Sequence, residues 1–338
     1  MSRARSNEIS VVDGRSMKHR GTKKISRSDI GHNSTRTCDY CRARYSFVPM
    51  EIIEYDSSDT FLQRATPVLS RNEAFTGLLY GVADRVGRVA DADPANDPPF
   101  LATVEDGNGV QLIAIMTPPH RLLLHAANDG ADAVVLQALA DHMRGTGRRP
   151  PGVLGPQPLP ETFAGIWCGD PAQGVGQTVT PGLAMTVYEL RQLSYRGSAS
   201  GSYRHATLAD RQLLEDWTET FFHQVHGRPP IGQEIGAVAR RLPKGEYRIW
   251  EDGGEPVSFV AQARPTPTGM AINAVFTPQA WRGRGYATSC VAALCAEILA
   301  GGKSFCTLFA DVDNPTANGI YRRIGFEPLG QFVELDFT

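Results

Sequence analysis

The pattern of hydrophobic and polar positions changes at Met50. Residues 1–49 show no periodicity and are rich in Ser, Lys and Arg, which is typical of disordered chain. From Met50 onward, short apolar runs alternate with segments of helical period. The sequence therefore predicts an α/β fold that begins near residue 50.

The predicted elements occur in the same order twice. In residues 50–196 the pattern predicts a strand, two helices, three strands, a helix, a strand, a helix and a last strand. The same order returns in residues 203–338. Residues 197–202, GSASGS, are small and polar, as in a linker. The order repeats without a residue-level repeat, which predicts two tandem copies of one fold, each with a mixed sheet.

Eight helices are predicted from this pattern. They fall near Ser58–Leu69, Arg71–Val86, Asp132–Arg144, Glu161–Cys168, Leu208–His226, Ile231–Arg241, Gly285–Leu299 and Asn314–Ile324. In the helix from Gly285, apolar residues at spacings of four, three and four lie on one face. A hairpin is predicted around Gly253 and Gly254.

Composition fits two folded copies and excludes some partners. A chain of 338 residues is long for one domain, and a hydrophobic share of 41% is enough to form a core. A net charge of −2 gives no reason to expect nucleic acid. No run approaches the ~18 apolar residues of a membrane span, and no apolar region follows Met1. We expect a cytoplasmic protein, either a monomer or a homodimer.

The basic charge is concentrated in residues 1–49, which hold eleven Lys and Arg against four Asp and Glu. Three interpretations remain open: a flexible basic tail, a stretch upstream of a natural start at Met50, or a transit peptide. The four acidic residues and the lack of an amphipathic helix count against the transit peptide. Because the segment has no apolar pattern to bury, we expect it to be dispensable.

Six cysteines are few for this length. Three of them lie in apolar, periodic stretches, which predicts reduced, buried thiols. Cys38 and Cys41 form a single C-x-x-C pair near His32, but a zinc site needs a further ligand pair. We therefore predict free thiols in the tail and no metal.

The stretch WRGRGYATS, residues 281–289, lies between a predicted strand and a predicted helix. The first N–H groups of a helix lack partners, and its dipole is positive at that end, so anions bind there. Gly283 and Gly285 let the backbone approach a ligand, and Arg282 and Arg284 add positive charge. The stretch lacks the P-loop pattern, and Thr288 stands where a dinucleotide fingerprint needs its third glycine.

Two motifs carry a resemblance to the GNAT acetyltransferase superfamily. Residues 282–287, RGRGYA, resemble its acetyl-CoA loop, Q/R-x-x-G-x-G/A. Residues 314–326, NPTANGIYRRIGF, resemble its downstream N-x-x-A-x-x-x-Y-x-x-x-G-F. The likeness covers residues 203–338 closely. The whole of 50–338 is similar to a subgroup of predicted bacterial acetyltransferases whose first copy is motif-poor.

The resemblance implies an acetyl-CoA-dependent N-acetyltransferase whose second copy is active. It would move an acetyl group directly to a primary amine of a small molecule, amino acid or peptide. The first copy lacks the loop motif, so it would have lost acetyl-CoA binding, and it would shape the acceptor pocket or support the second copy.

The resemblance also implies roles for individual residues. Tyr321 would be the general acid, although a tyrosine that only packs in the core is the alternative. Asn314 would face the cofactor as well as cap a helix. The remaining cofactor-binding residues implied are Val275, Phe276, Thr277, Arg282, Gly283, Arg284, Gly285, Tyr286, Ala287 and Thr288.

The general base is left open among Asp311, Asp313, Glu219, His223 and a water chain. Glu219, His223 and His226 share a helical face, which is more typical of a solvated or substrate-facing surface than of a metal site. Two other functions compete. One is a non-catalytic acyl-CoA sensor, against which the intact Tyr321 argues. The other is a tandem aminoacyl transferase acting on cell-wall precursors.

Overall fold

The computed structural model describes residues 50–88, 98–128, 130–169, 176–231 and 234–338. The strands in these ranges are β1 (Glu51–Glu54), β2 (Phe100–Asp106), β3 (Gly109–Met116), β4 (Leu122–Ala126), β5 (Gly152–Pro156), β6 (Val179–Leu190), β7 (Ser202–His205), β8 (Tyr247–Asp252), β9 (Glu255–Pro265), β10 (Gly269–Phe276), β11 (Phe305–Asp311) and β12 (Glu327–Phe337). The α-helices are α1 (Ser58–Leu69), α2 (Glu73–Arg88), α3 (Ala133–Gly145), α4 (Leu159–Cys168), α5 (Arg211–His226), α6 (Ala237–Arg241), α7 (Tyr286–Ala300) and α8 (Pro315–Ile324).

The predicted repeat of element order is confirmed. The first half, residues 50–196, runs β1-α1-α2-β2-β3-β4-α3-β5-α4-β6, and the second half, residues 203–338, repeats this order from β7 to β12. The mixed sheet is also confirmed, because β4–β5 and β10–β11 are parallel while the other neighbours pair antiparallel.

The two halves exchange their last strands within one sheet. The strand order is β1-β2-β3-β4-β5-β12-β6-β11-β10-β9-β8-β7. Thus β12 of the second half lies between β5 and β6, and β6 of the first half lies between β12 and β11. Val48–Thr338 accordingly form one compact unit. The boundary at 197–202 marks the repeat in the sequence, and the assignment of each half as a separate domain stays a proposal.

The halves also share a core. Helix α2 of the first half packs on β9, β10, β11 and β6. Phe75 of this helix meets Phe332 of β12 edge-on with ring centroids 5.1 Å apart, and Phe332 meets Phe309 of β11 at 5.3 Å. The carboxylate of Glu73 accepts the backbone N–H of Thr268 at 2.7 Å. The first half therefore covers part of the sheet face of the second.

The starts of α5 and α6 differ most from the predicted ones, since both helices begin at least three residues later. A 3₁₀ turn, Leu208–Asp210, precedes α5, because Asp210 closes a capping box with Thr207. The predicted helix over 231–241 is wrong in its first turns, since α6 covers only its end. Gly236 adopts a left-handed conformation with φ of +65°, which an α-helix cannot pass through.

The cysteine prediction is confirmed for the second half. Cys290, Cys295 and Cys306 are free and buried, whereas Cys168 is free and only half-buried. The predictions for residues 1–49, including Cys38 and Cys41, lie outside the described residues. Within the described residues, no helix combines the length and apolar character that crossing a membrane requires.

Candidate functional site

A gap opens between β10 and β11. The two strands pair only through Gly269, Met270 and Ala271 of β10. The register of β10 with β9 then breaks between Asn273 and Phe276, and Ala274 has a φ of +51°. Among the described residues, the end of β10 has no partner strand on the β11 side, so its backbone groups there are available to an extended ligand.

The side chains at the end of β10 are used for packing. Phe276 is buried on the face of α5, with its ring centroid 6.0 Å from that of Trp217. Val275 is half-buried against the apolar cluster under α7 and α8. The Thr277 hydroxyl hydrogen-bonds with the Ser258 hydroxyl at 2.9 Å. These three residues can therefore offer a ligand their backbone more readily than their side chains.

The loop that follows β10 is exposed and depends on glycine for its conformation. Gly283 and Gly285 have φ of +78° and +83°. A Cβ at Gly283 would meet nothing within 4 Å, so the left-handed backbone rather than lack of space requires glycine there. Helix α7 begins immediately after Gly285, and no side-chain hydrogen bond from that cap residue closes its first turn. Its free N–H groups are therefore open to an anion.

The charged side chains of the loop are exposed, and the next residues point inward. Arg282 donates to the Thr277 carbonyl at 2.9 Å and to Gln224 at 2.7 Å. The Arg284 guanidinium lies 5.0 Å from the centre of the Trp281 ring. Tyr286 is buried and donates to Asp252, and Thr288 is also buried, while Ala287 is half-buried. Because the side chains of Tyr286 and Thr288 are buried, a ligand in the loop would contact the backbone of these two residues.

The local predictions for α8 are confirmed. Asn314 is its N-cap, accepting the Ala317 N–H at 3.0 Å, and Pro315 occupies the first turn. Gly325 ends the helix with a φ of +115°. Asn314 is exposed, so capping leaves its amide N–H₂ group facing solvent.

Tyr321 is buried in an apolar cluster that includes residues of β11 and contacts β10, the two strands that border the gap. Its side chain belongs to the same cluster as Leu308 and Ala310 of β11, and Val275 packs against that cluster. The ring lies between Tyr188 and Phe326, with centroids at 6.2 and 5.8 Å. Burial, with a smaller effect of Cys295, raises the pKa of the Tyr321 hydroxyl well above its usual value. A tyrosine hydroxyl is protonated at neutral pH without this shift, so Tyr321 has a proton to donate.

Two residues that sequence reasoning missed hold the turn before α8. Tyr188 of β6 donates to the Asn318 side-chain oxygen at 2.9 Å. The Asn318 amide donates at 2.8 Å to the carbonyls of both Asp311 and Asn314. A cavity of about 360 Å³ lies beside this network, between β6, α8 and β12. The sequence could have indicated Asn318, because it is a polar residue on the buried face of α8. It could not have indicated Tyr188, which reaches α8 only because the two halves exchange strands.

The candidate bases are not brought together. Asp311 accepts the Asp313 N–H at 2.9 Å, and Asp313 is exposed. Glu219 and His223 are exposed, 4.0 Å apart, and His226 stacks on Phe222. Across the described ranges, no group of three or more His, Cys, Asp or Glu is arranged to hold a metal.

Comparison with known families identifies this part of the chain. The model of the Acetyltransferase (GNAT) family matches residues 207–326, which include the glycine-marked loop and Tyr321. This segment is a GNAT domain. The resemblance carried by the two motifs is thereby confirmed, and the protein is an acyltransferase. No curated protein matches the chain significantly in sequence.

Solved structures share the fold over both halves. A GCN5-related N-acetyltransferase from Sphaerobacter thermophilus is 15% identical, with a TM-score of 0.55 over 86% of this chain and 96% of its own. A Drosophila protein is 12% identical, with a TM-score of 0.59 over 85% and 98%. A GNAT-family acetyltransferase from Colwellia psychrerythraea is 11% identical, with a TM-score of 0.51 over 85% and 100%. Each similarity covers more of the chain than either half does. These solved structures therefore share the fold of the first half as well as that of the GNAT domain.

Proposed function

We propose that the protein is an acetyl-CoA-dependent N-acetyltransferase that transfers an acetyl group to a primary amine of a small molecule, amino acid or peptide. One observation carries the proposal. Within a GNAT domain, the unpaired end of β10 lies directly before a glycine-marked loop and the open first turn of α7. This arrangement suits a ligand with an extended amide-containing arm and a pyrophosphate.

The chain offers groups for each part of acetyl-CoA. The backbone of Val275, Phe276 and Thr277 would pair with the pantetheine arm, as in strand addition. The backbone of residues 282–288, with Arg282 and Arg284, would surround the pyrophosphate. The Asn314 amide would contact the arm from α8. When bound, acetyl-CoA supplies an activated thioester, and no metal is needed.

Transfer is direct in this proposal. A backbone N–H of β10 would stabilise negative charge on the thioester oxygen. Tyr321 would donate its proton to the departing sulfur. The acceptor amine must first lose a proton to Asp311, Asp313, Glu219, His223 or water.

The first half would lack a second acetyl-CoA site. Its equivalent turn, between β4 and α3, has no R-x-x-G-x-G/A sequence. It would therefore be a degenerate copy that supports the acceptor side. The buried free thiols of Cys290, Cys295 and Cys306 favour a reducing, cytoplasmic setting.

Titration calorimetry with acetyl-CoA tests the proposal. We expect one site per chain in the wild type and none in Gly285→Glu, which puts a side chain and a like charge where the pyrophosphate would lie. Gly302→Glu is the matched control, because Gly302 also has a positive φ of +93° but follows the other end of α7. Wild-type affinity in Gly285→Glu, or two sites per chain, contradicts the proposal. A thiol-release assay over a panel of amines then tests transfer.

A further inference from the structure

Three arginines converge on the sheet face that α6 covers. Arg241 of α6 donates to Glu246 at 2.6 Å and to the Asn273 side-chain oxygen at 3.2 Å. Asn273 lies in β10, one residue before the distorted Ala274. Arg264 belongs to β9, and Arg85 comes from α2 of the first half. We call Arg85, Arg241 and Arg264 the arginine cluster.

The backbone is distorted to place Arg264. The register of β9 with β10 shifts at this point, since Ala263 pairs with Ala271 and Pro265 with Met270. Arg264 is the extra residue and has a φ of +43°. A non-glycine residue in such a conformation costs about 1–3 kcal/mol and is found preferentially at ligand clamps and active sites. The local backbone therefore favours an interpretation beyond packing.

A glycine of the first half makes room for this side chain. A Cβ at Gly81 of α2 would lie 2.4 Å from the Arg264 Cβ and 2.5 Å from its Cγ. The stem of Arg264 thus crosses α2 where that helix has no side chain. Any larger residue at position 81 would displace it.

The charges that act on Arg264 are those of two other arginines. The Arg264 Nε is buried and has no hydrogen-bond partner among the described residues. Burial, followed by the charges of Arg85 and Arg241, lowers the pKa of Arg264 to about 10. Desolvation, followed by the charges of Arg241 and Arg240, also lowers the pKa of Arg85, although part of that side chain is exposed to solvent.

Glu246 acts on Arg85 with the opposite charge, and it is already paired with Arg241. A buried guanidinium N–H without a partner is costly, and an oxyanion that accepts from the Arg264 Nε would satisfy it. The exposed part of Arg85 leaves the cluster a route to solvent.

We propose that the arginine cluster binds an anionic group, a carboxylate or a phosphate, on the acceptor amine. This inference rests on the proposed function and names its substrate class. Asn273 joins the cluster to β10, and Val275 is two residues along that strand, about 7 Å away. A compact acceptor could reach the gap with its amine while its anionic group contacts the cluster. Arg85 and Gly81 then give the first half a part in acceptor recognition.

Thermal shift measurements with saturating coenzyme A, which carries no acetyl group, test the binding without turnover. The probes are β-alanine, phosphoethanolamine and ethanolamine, which carry a carboxylate, a phosphate and no anionic group. We expect at least one anionic probe to raise the melting temperature of the wild type, and ethanolamine to leave it unchanged. The rise should vanish in Arg264→Met and Arg85→Met and persist in Arg211→Met, which removes an exposed arginine of α5. Equal shifts with all three probes, or none, overturn the proposal.

Steady-state kinetics separate recognition from chemistry. In Arg264→Met we expect the KM for the anionic amine to rise about 10- to 100-fold with kcat nearly unchanged, because a charge-assisted contact is lost. An unchanged KM overturns the proposal. Failure of the wild type to bind acetyl-CoA in calorimetry instead contradicts the proposed function. The anion site can still be tested in that case, because the melting-temperature shifts caused by the anionic probes can be measured without any cofactor.

The stability of Arg264→Met without ligand gives a separate check. Removing a half-buried cation whose Nε has no partner should leave the melting temperature equal or higher. A fall of several degrees would show that Arg264 is paired within the chain, and that result overturns an anion site.

Discussion

At the scale of single residues, the surroundings of Tyr321 affect its acidity. A tyrosine hydroxyl is protonated at neutral pH even in water, and burial in the layer between Tyr188 and Phe326 raises the pKa of this one further. The residue identity was predictable from a motif, and the N-cap role of Asn314 from its position before a proline. The contacts of Tyr321 were not, because Tyr188 lies far away in the sequence.

Replacing Tyr321 with Phe should test its role as an acid. The change removes one oxygen and keeps the ring that packs in the cluster. We expect kcat for thiol release to fall about 10²- to 10⁴-fold, which is the usual effect of losing a general acid. Calorimetry should show nearly unchanged acetyl-CoA affinity, since the loop contacts lie elsewhere.

Tyr55→Phe is the matched control, because it also removes a hydroxyl, one bonded to Thr103 in the first half. It should leave kcat unchanged. If Tyr321→Phe lowers only cofactor affinity or stability, the tyrosine has a structural role and the acid must be sought elsewhere.

Replacing Tyr188 with Phe should weaken the turn before α8. The change breaks the 2.9 Å bond to Asn318 and leaves a buried amide oxygen without that donor. We expect a loss of about 1–2 kcal/mol in the free energy of unfolding, measured with urea. Tyr195→Phe, which loses an exposed bond to Ser198, should change it little. Equal stability of both variants argues that water replaces the Tyr188 contact.

At the scale of elements, caps set the helix boundaries more sharply than hydrophobic periodicity does. Asp210 accepts from the backbone and hydroxyl of Thr207 and from Arg204, which fixes the start of α5. Gly236 delays the start of α6. Periodicity predicted both helices and placed their starts too early, because apolar spacing continues through turns that are not helical.

The stability that Asp210 contributes should depend on pH. Its hydrogen bonds from Arg204 lower its pKa from 3.8 to about 2. A lowered carboxyl pKa means that the stabilisation is complete above about pH 4 and is lost as the pH falls towards 2. We expect Asp210→Asn to lose about 1 kcal/mol at pH 7, since the group is partly solvated, and to show a flatter acid dependence.

Urea unfolding at pH 7, 4 and 3 would measure this dependence. Asp216→Asn is the control, because Asp216 lies within α5, the helix that Asp210 caps, and has an exposed Gln212 partner. An Asp210→Asn profile parallel to the wild type would mean that the pair with Arg204 does not form in solution.

At the scale of the whole molecule, strand exchange makes the halves depend on each other. β6 separates β11 from β12, so a second half without it has unpaired edges on both strands. It would also expose Phe309 and Phe332, which pack against the first half. The folding unit is therefore residues 48–338 rather than either copy.

We expect residues 203–338, expressed alone, to form no stable folded monomer. Unpaired edges and exposed apolar side chains favour association. Co-expression with residues 50–196 should restore a folded complex with the size of the intact protein, measured by light scattering and circular dichroism. A monomer of 203–338 with the melting temperature of the intact chain contradicts this prediction.

The sequence by itself determined what depends on neighbours within a few residues. The order of the elements, the Gly253–Gly254 hairpin, the caps of α8 and the loop before α7 all follow from local backbone preferences and short-range hydrogen bonds. Tertiary structure alone decided that β6 lies between β11 and β12. Backbone pairing is nearly independent of side chains, so the apolar pattern of β6 is compatible with more than one neighbouring strand. Burial of the whole sheet determines which strands lie beside β6. The Tyr188–Asn318 bond and the arginine cluster depend on that choice, because each joins residues from both halves.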